Sequence, residues 1–318
     1  MGTKKRAHPT KMKTNMASIF QDLQKRTIIK NVPKFVSSNI QYEVIMGSVA
    51  YGVSDDTSDM DIYGYCIPPR DYVFPHLRGE IPGFTPPGPS FDQYQQHHIV
   101  DKDALGGKGR EYDFTIYSIV KYFRLCMENN PNMIDSLFVP RRCILYSTQI
   151  GEMVREKRHL FLHKGVWHKF KGYAYGQMHK MRTKHPEGGR KSMVEKFGYD
   201  IKFAYHVVRL LNEAEQILLE KDLDLERNRE QLKSIRRGEW TPDQIEQYFE
   251  NKERHLESIY NNSDLRQSPD MDSLKELLLN CLEHHYGSLE KCVVHEDKAI
   301  KALKDIDLVL ERIRGLLN

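Results

Sequence analysis

The sequence contains few cysteines and no long hydrophobic run. Only five of its 318 residues are cysteines, and they form no dense paired framework. This excludes a small disulfide-rich scaffold and favours a reducing compartment. No apolar stretch reaches the length of a membrane span, and no apolar segment follows the basic N-terminus. We therefore expect a cytoplasmic protein without a signal peptide or a membrane partner.

The sequence also lacks a strong excess of either charge. Its 48 Lys and Arg residues nearly balance its 44 Asp and Glu residues, which leaves a net charge of +4. This small excess permits a nucleic-acid partner without requiring one. Basic residues are concentrated in residues 1–16, which are predicted to form a flexible tail. The tail is interpreted either as a solubilising end or as an arm that contacts a phosphate backbone.

A Gly-Ser turn follows the first strongly apolar segment. Residues 42–46 are β-branched, aromatic and apolar, which predicts a short strand that ends at Gly47. Gly47 allows the backbone to approach a ligand closely, and Ser48 adds a hydroxyl. Residues 50–52 are predicted to form one helical turn after it. Backbone N–H groups at such a turn can hold phosphate oxygens, so Gly47, Ser48 and Tyr51 are candidate nucleotide-binding residues.

Two carboxylates follow this turn. Asp59 and Asp61 would share one face of a strand beginning near residue 60, because strand side chains alternate between faces. Their mutual repulsion would be relieved by a divalent cation, and oxygen ligands favour Mg²⁺ or Mn²⁺ over zinc. Ser58, which precedes Asp59, is included among the nucleotide-binding candidates. The alternative is a surface turn with solvated aspartates.

A third carboxylate is expected to complete the catalytic group. Residues 109–117 predict another strand, which carries Glu111 and Asp113. Both side chains would lie on the same face, so periodicity does not separate them. Asp113 is the preferred third metal ligand, and Glu111 is the alternative. Two ions bound by such a group could stabilise an in-line displacement at phosphorus.

The Gly-Ser turn and the Asp-x-Asp motif resemble the signature of the DNA polymerase β nucleotidyltransferase superfamily. The chain is most similar to its RNA-ligase-associated branch, which comprises predicted nucleotidyltransferases of bacteria and phages. The similarity covers most of the chain from about Tyr42 to Gly287. Segments outside the Gly-Ser and Asp-x-Asp motifs that carry it are 74–76, 79–84, 112–138, 169–175, 197–206 and 235–240.

The resemblance implies an α+β fold. An N-terminal catalytic domain with a mixed β-sheet and helices would be followed by a mostly α-helical domain, with boundaries at residues 17–150 and 151–318. It also implies Mg²⁺- or Mn²⁺-dependent transfer of a nucleotide from an NTP such as ATP. An RNA end is the favoured acceptor, in RNA repair together with RNA ligase-type proteins. A protein-nucleotidylating enzyme and a non-catalytic nucleotide- or RNA-binding module are the alternatives.

Basic residues in the second half suggest contacts with the triphosphate. A single helix is predicted over residues 192–220, with Lys202, His206 and Arg209 on one face and Tyr199 beside them. Lys196 lies near the start of the same predicted helix. Such a face suits phosphate oxygens, so these five residues complete the nucleotide-binding candidates. The alternative is a solvated face paired with neighbouring Asp and Glu residues.

Several other segments are predicted from their composition. A helix is expected over residues 17–36 with a break at Pro33, and a strand over residues 141–146. Residues 71–108 are rich in Pro and Gly and are expected to be an irregular flap or hairpin. Within them, the adjacent His97 and His98 would point in different directions on any regular element, which argues against a shared metal. A final amphipathic helix is expected over residues 297–317.

Overall fold

The computed structural model describes residues 17–54, 59–81, 83–86, 88, 90–183 and 189–289, together with residues 306, 309, 310 and 314. The predicted tail at residues 1–16 lies outside the described residues. The predicted final helix lies almost entirely outside them. No helix in the described part of the chain is both long enough and apolar enough to cross a membrane.

Five strands form one mixed sheet with the spatial order β3-β4-β2-β1-β5. Their bounds are β1 Ile40–Ile45, β2 Met60–Cys66, β3 Gln93–Asp101, β4 Arg110–Ser118 and β5 Ile144–Ser147. The central pair, β2 and β4, is parallel, and the other pairs are antiparallel. Every residue of β1 is buried, whereas β2 begins with alternating buried and half-buried side chains. Because of that alternation, the side chains on one face at the start of β2, including Asp61, are partly accessible to solvent.

The N-terminal half contains short helices around this sheet. They are α1 Ile19–Lys25, α2 Lys34–Asn39, α3 Gly47–Ala50, α4 Arg70–Val73, α5 Ala104–Gly107, α6 Ile119–Met127, α7 Pro131–Phe138 and α8 Gln149–Glu156, with 3₁₀ turns at Pro75–Arg78, Arg141–Cys143 and Arg158–Phe161. The domain boundary predicted at residue 150 falls within α8, which packs against β1 and β5. That boundary stays a prediction.

The remaining described chain is helical. Its helices are α9 Gly165–Thr183, α10 Gly189–Phe197, α11 Ile201–Glu220, α12 Arg229–Arg236, α13 Pro242–Asn262 and α14 Met271–Tyr286. Helix α11 is central, because it packs against α9, α12 and α13 and most of its side chains are buried. The predicted α+β class, with a mixed sheet followed by helices, is therefore confirmed.

Four predicted elements differ from the observed ones. The helix expected over residues 17–36 is two short helices, because Thr27 and Asn31 adopt positive φ angles between them. The helix expected over residues 192–220 breaks at Gly198, where φ is +81°, and Asp200 then caps α11. The strand expected over residues 141–146 is confined to β5. The segment over 71–108, expected to be irregular, contains the edge strand β3.

Candidate active site

Three carboxylates converge at the centre of the sheet. Parallel pairing of β2 with β4 places Asp61 directly opposite Asp113. Asp59 is exposed just before β2. Burial raises the pKa of Asp61 to about 6, and the negative charges of Asp113 and Asp59 contribute to this rise. Asp61 and Asp113 therefore lie side by side, and Asp59 is close enough for its charge to act on Asp61. The register favours Asp113 over Glu111 as the third member.

The Gly-Ser turn lies directly against this group. Gly47 opens α3 with a φ angle of +66°. A Cβ atom at this position would lie only 2.3 Å from Asp61 Oδ2. The absence of a side chain is therefore what allows the turn to approach the carboxylate. Ser48, the next residue, is half-buried beside it.

The ligand chemistry of this group fits a hard divalent cation. All of the candidate donor atoms on Asp59, Asp61 and Asp113 are carboxylate oxygens, which Mg²⁺ and Mn²⁺ accept. Within the described residues, neither Asp59 nor Asp61 forms an ion pair with Lys or Arg. A divalent cation bound there would reduce their mutual repulsion.

Two histidines reach Asp113 from the neighbouring strand β3. The β3–β4 pairing passes from Gln96 opposite Phe114 to Ile99 opposite Tyr112, so His97 and His98 together face Asp113. This bulge lets both residues contact the same partner. His97 Nδ1 lies 3.3 Å from Asp113 Oδ2, and the His98 backbone N–H donates to Asp113 Oδ1 at 2.8 Å. The two side chains still have different carboxylate partners, because the His97 ring is on Asp113 while the His98 ring is on Glu111.

His98 also contacts the alternative third carboxylate. Its Nδ1 lies 2.5 Å from Glu111 Oε1, and this hydrogen bond raises the pKa of His98. Glu111 is therefore hydrogen-bonded to His98 of β3, while Asp113 lies between β3 and Asp61. Sequence reasoning missed this arrangement because nothing in the His-His pair signals a bulge.

Two arginines hold the chain that follows the Gly-Ser turn. Arg142 donates to the Val49 carbonyl oxygen through Nη1 and Nη2 at 3.2 and 3.1 Å, and it also pairs with Glu226 at 2.6 Å. Arg236 donates to the Val53 carbonyl oxygen at 2.5 Å. Residues from the 3₁₀ turn before β5 and from α12 therefore fix the position of α3. No local pattern signalled the contact with Arg142.

Lys202 and His206 are one turn apart on α11, and each has a separate link to the candidate site or to a nearby cavity. The positive charge of Lys202 opposes the rise in the pKa of Asp61 that burial causes. One turn later, His206 lines a cavity of about 400 Å³ between α7, α9 and α11. The other residues that line it are Asn132, Tyr173, Gln177, Lys180, Phe203, Arg209 and Leu210. Of the predicted nucleotide-binding residues, His206 and Arg209 line this cavity, whereas Lys202 acts on Asp61 through its charge.

Arg209 and Tyr51 belong to a buried polar cluster. Arg209 Nη1 donates to Asp135 Oδ2 at 2.5 Å and to Glu213 Oε1 at 2.9 Å. The Tyr51 hydroxyl donates to Asp135 Oδ2 at 2.6 Å, and the guanidinium lies 4.5 Å from the Tyr51 ring centroid. The hydroxyl of Tyr51 is therefore engaged inside the protein, and the cluster joins α3 and α7 to α11.

The remaining predicted nucleotide-binding residues are dispersed. Tyr199 is buried before α11, and its hydroxyl donates to the Trp240 carbonyl oxygen at 2.6 Å. Lys196 is exposed on α10, with its Nζ 4.8 Å from the Phe197 ring centroid. Because the chain breaks at Gly198, neither residue continues the face of Lys202 and His206. Ser58 lies outside the described residues.

The comparisons with known proteins identify a family. A family model described as RlaP, RNA repair pathway DNA polymerase beta family, matches residues 12–304. The chain belongs to this family and is a DNA polymerase beta-like nucleotidyltransferase. No curated protein gives a significant match.

One solved structure shows a weak likeness. It is a nucleotidyltransferase-like protein from Exiguobacterium sibiricum, with 9% identity and a TM-score of 0.26, and the match covers 76% of this chain and 73% of that one. A likeness this low carries no argument about fold or function.

Proposed function

We propose that this member of the RNA repair family transfers a nucleoside monophosphate from an NTP to a hydroxyl at an RNA end, with release of pyrophosphate. The observation that carries the proposal is that Gly47, Asp61 and the sequence-distant Asp113 lie side by side. Asp61 lies opposite Asp113 in the parallel register, and the Gly47 turn leaves no room for a side chain beside Asp61. This arrangement brings a phosphate-binding type of turn directly against a carboxylate group that suits divalent cations.

Asp59, Asp61 and Asp113 would hold Mg²⁺ or Mn²⁺. When bound, the cation supplies charge neutralisation for the triphosphate and for the developing negative charge. The turn at Gly47 and Ser48 orients the β- and γ-phosphates. The acceptor oxygen forms a bond to the α-phosphorus while the bond to the β-phosphate oxygen breaks, and Asp113 receives the hydroxyl proton.

The cleft beside α11 would bind the rest of the nucleotide. Lys202 contributes a cation near the carboxylates, and His206 leads into the cavity of about 400 Å³. That volume lies within the range of about 300–1,000 Å³ typical of small-molecule sites. Tyr173 offers an aromatic face for a base, and Gln177 offers an amide that hydrogen-bonds to a base edge. Arg209 and Tyr51 act as positioning residues from the buried cluster.

An RNA acceptor is supported by the family to which the chain belongs, whose description names RNA repair. The net charge of +4 agrees with a polyanionic substrate without requiring one. Association with an RNA ligase-type repair protein follows from the same reasoning.

The test is transfer from each α-labelled NTP to a pooled RNA substrate in the presence of Mg²⁺ or Mn²⁺. The intact protein should label the RNA, and Asp59→Asn combined with Asp61→Asn should not. Asp272→Asn, an exposed carboxylate on α14, is the matched control and should label the RNA normally. Labelling of the protein itself would identify a protein acceptor instead. Metal-dependent NTP binding without any transfer to RNA would refute the RNA acceptor.

A further inference from the structure

A second group of metal-ligating side chains lies on the side of β4 away from Asp61. The sheet order places β3 on one side of β4 and β2 on the other. From β3, the bulge brings His98 to Glu111 and Asp113. One ligand atom from each of these three residues lies within 4.8 Å of the other two. Asp113 therefore belongs to an oxygen-only group towards β2 and to a mixed nitrogen and oxygen group towards β3.

We propose that His98, Glu111 and Asp113 bind a divalent transition-metal ion of the Zn²⁺ type, at a site distinct from the magnesium site expected at Asp59, Asp61 and Asp113. Imidazole is a good ligand for zinc and for neighbouring transition metals, whereas Mg²⁺ prefers oxygen ligands in octahedral geometry. Histidine and carboxylate side chains are established zinc ligands, and a three-ligand set leaves a further position for water.

The geometry needs only small adjustments to hold an ion. Two donor atoms that each lie about 2.0–2.2 Å from a metal are at most roughly 4.4 Å apart. All of the donor atoms lie within 4.8 Å of one another, and His98 Nδ1 and Glu111 Oε1 are 2.5 Å apart. The His98 side chain is 82% exposed, so an ion can reach it from solvent. Glu111 and Asp113 are fixed on β4, which supplies a rigid base for the site.

The backbone of the bulge orients the residues that would bind the ion. The His98 N–H already donates to Asp113 Oδ1 at 2.8 Å, and His97 Nδ1 lies 3.3 Å from Asp113 Oδ2. These contacts hold the Asp113 carboxylate between Asp61 on the β2 side and Glu111 and His98 on the β3 side. An ion on the β3 side would therefore fix the orientation in which Asp113 faces Asp61. The proposal goes beyond the nucleotidyl transfer described above, because ion binding is measured without nucleotide, RNA or turnover.

The test is calorimetric titration of the metal-free, full-length protein with Zn²⁺ in excess Mg²⁺, which saturates sites built only from oxygen. His98→Ala should remove one equivalent of tightly bound Zn²⁺, or weaken it by roughly 100-fold or more, since loss of a residue that only orients a ligand costs about 10–100-fold. Glu111→Gln should act in the same direction. Co²⁺ added in place of Zn²⁺ should give a visible absorption spectrum that is lost in His98→Ala.

Two matched controls locate the site. His159→Ala removes another exposed histidine paired with a carboxylate, with Nε2 3.0 Å from Asp222 Oδ1, and it should keep the full Zn²⁺ stoichiometry. Asp59→Asn with Asp61→Asn should also keep it, because those residues lie on the β2 side. Circular dichroism checks that each variant is folded. The proposal is overturned if His98→Ala binds Zn²⁺ like the wild type, or if excess Mg²⁺ displaces the ion.

Discussion

Gly47→Ala tests the close approach between the Gly-Ser turn and the carboxylates. The residue has a φ angle of +66°, and an added Cβ would lie 2.3 Å from Asp61 Oδ2. An ordinary contact begins near 3.4 Å. The Asp61 carboxylate or the turn must therefore move by about 1 Å, in a site where such a displacement costs on the order of 100-fold in rate.

The expected energies distinguish backbone strain at residue 47, which lowers stability, from displacement of the Asp61 carboxylate, which lowers the rate. A non-glycine residue in the left-handed region costs roughly 1–2 kcal/mol, which should lower the Tm by a few degrees. A 100-fold loss of kcat corresponds to about 2.7 kcal/mol of transition-state stabilisation. We therefore expect Gly47→Ala to remain folded while losing about two orders of magnitude in nucleotide transfer.

Two other glycines provide matched controls. Gly79 has a φ angle of +79°, and an added Cβ would have no atom within 4 Å, so Gly79→Ala should lower the Tm similarly but leave kcat unchanged. Gly176 lies in helix α9 with open space around it, and Gly176→Ala should be neutral or stabilise by about 0.5–1 kcal/mol. The assay is labelled-NTP transfer together with thermal unfolding. A folded Gly47→Ala protein with wild-type kcat would refute the reasoning.

Three further predictions concern other residues. Burial raises the pKa of Glu43 to about 7, so the folded protein binds more protons than the unfolded chain between about pH 4.5 and 7. The free energy of unfolding should then fall by about 3 kcal/mol as pH rises through that window. Glu43→Gln should remove this pH dependence, as measured by urea denaturation. An unchanged pH dependence in the variant would contradict the raised pKa of Glu43. Lys202→Ala should raise the KM for NTP by roughly 10–100-fold, because a charge-assisted contact with phosphate is lost. Lys191→Ala, which changes an exposed lysine, is the control. Equal KM values in the two variants would contradict a phosphate contact of Lys202. Arg209→Met should lower the free energy of unfolding by about 3–5 kcal/mol, because Asp135 and Glu213 would be left buried without their cation. The triple variant that also carries Asp135→Asn and Glu213→Gln should recover much of the loss, and a single variant as stable as the wild type would disprove the role of the cluster.

The local parts of the site were predictable because their signals are contiguous in the chain. Residues 42–46, Gly47-Ser48 and the pair Asp59 and Asp61 lie close together in the chain, and a strand period of two is enough to place both carboxylates on one face. The strand that carries Asp113 was predicted for the same reason. Asp113 was also preferred as the partner of Asp59 and Asp61, but periodicity could not separate it from Glu111, because register between strands depends on how the whole sheet assembles.

The break in a helix was harder to predict than the presence of helix on either side of it. The periodicity of residues 192–220 suits a helix on both sides of Gly198, so the pattern alone suggests one element. The observed φ of +81° at Gly198 and the cap at Asp200 divide it. As a result, Tyr199 turns towards Trp240, whereas Lys202 starts a new helix near the carboxylates.

Short motifs were sufficient to recognise the family, and that resemblance implied the α+β class; the same motifs named the candidate carboxylates. Which groups meet depends instead on the assembled fold. Parallel pairing placed Asp113 opposite Asp61, and helix packing buried Arg209 between Asp135 and Glu213. A bulge brought the His97 ring and the His98 backbone N–H to Asp113. Most of these contacts join residues far apart in the chain. Their geometry is set by strand register and helix packing, which no local period encodes.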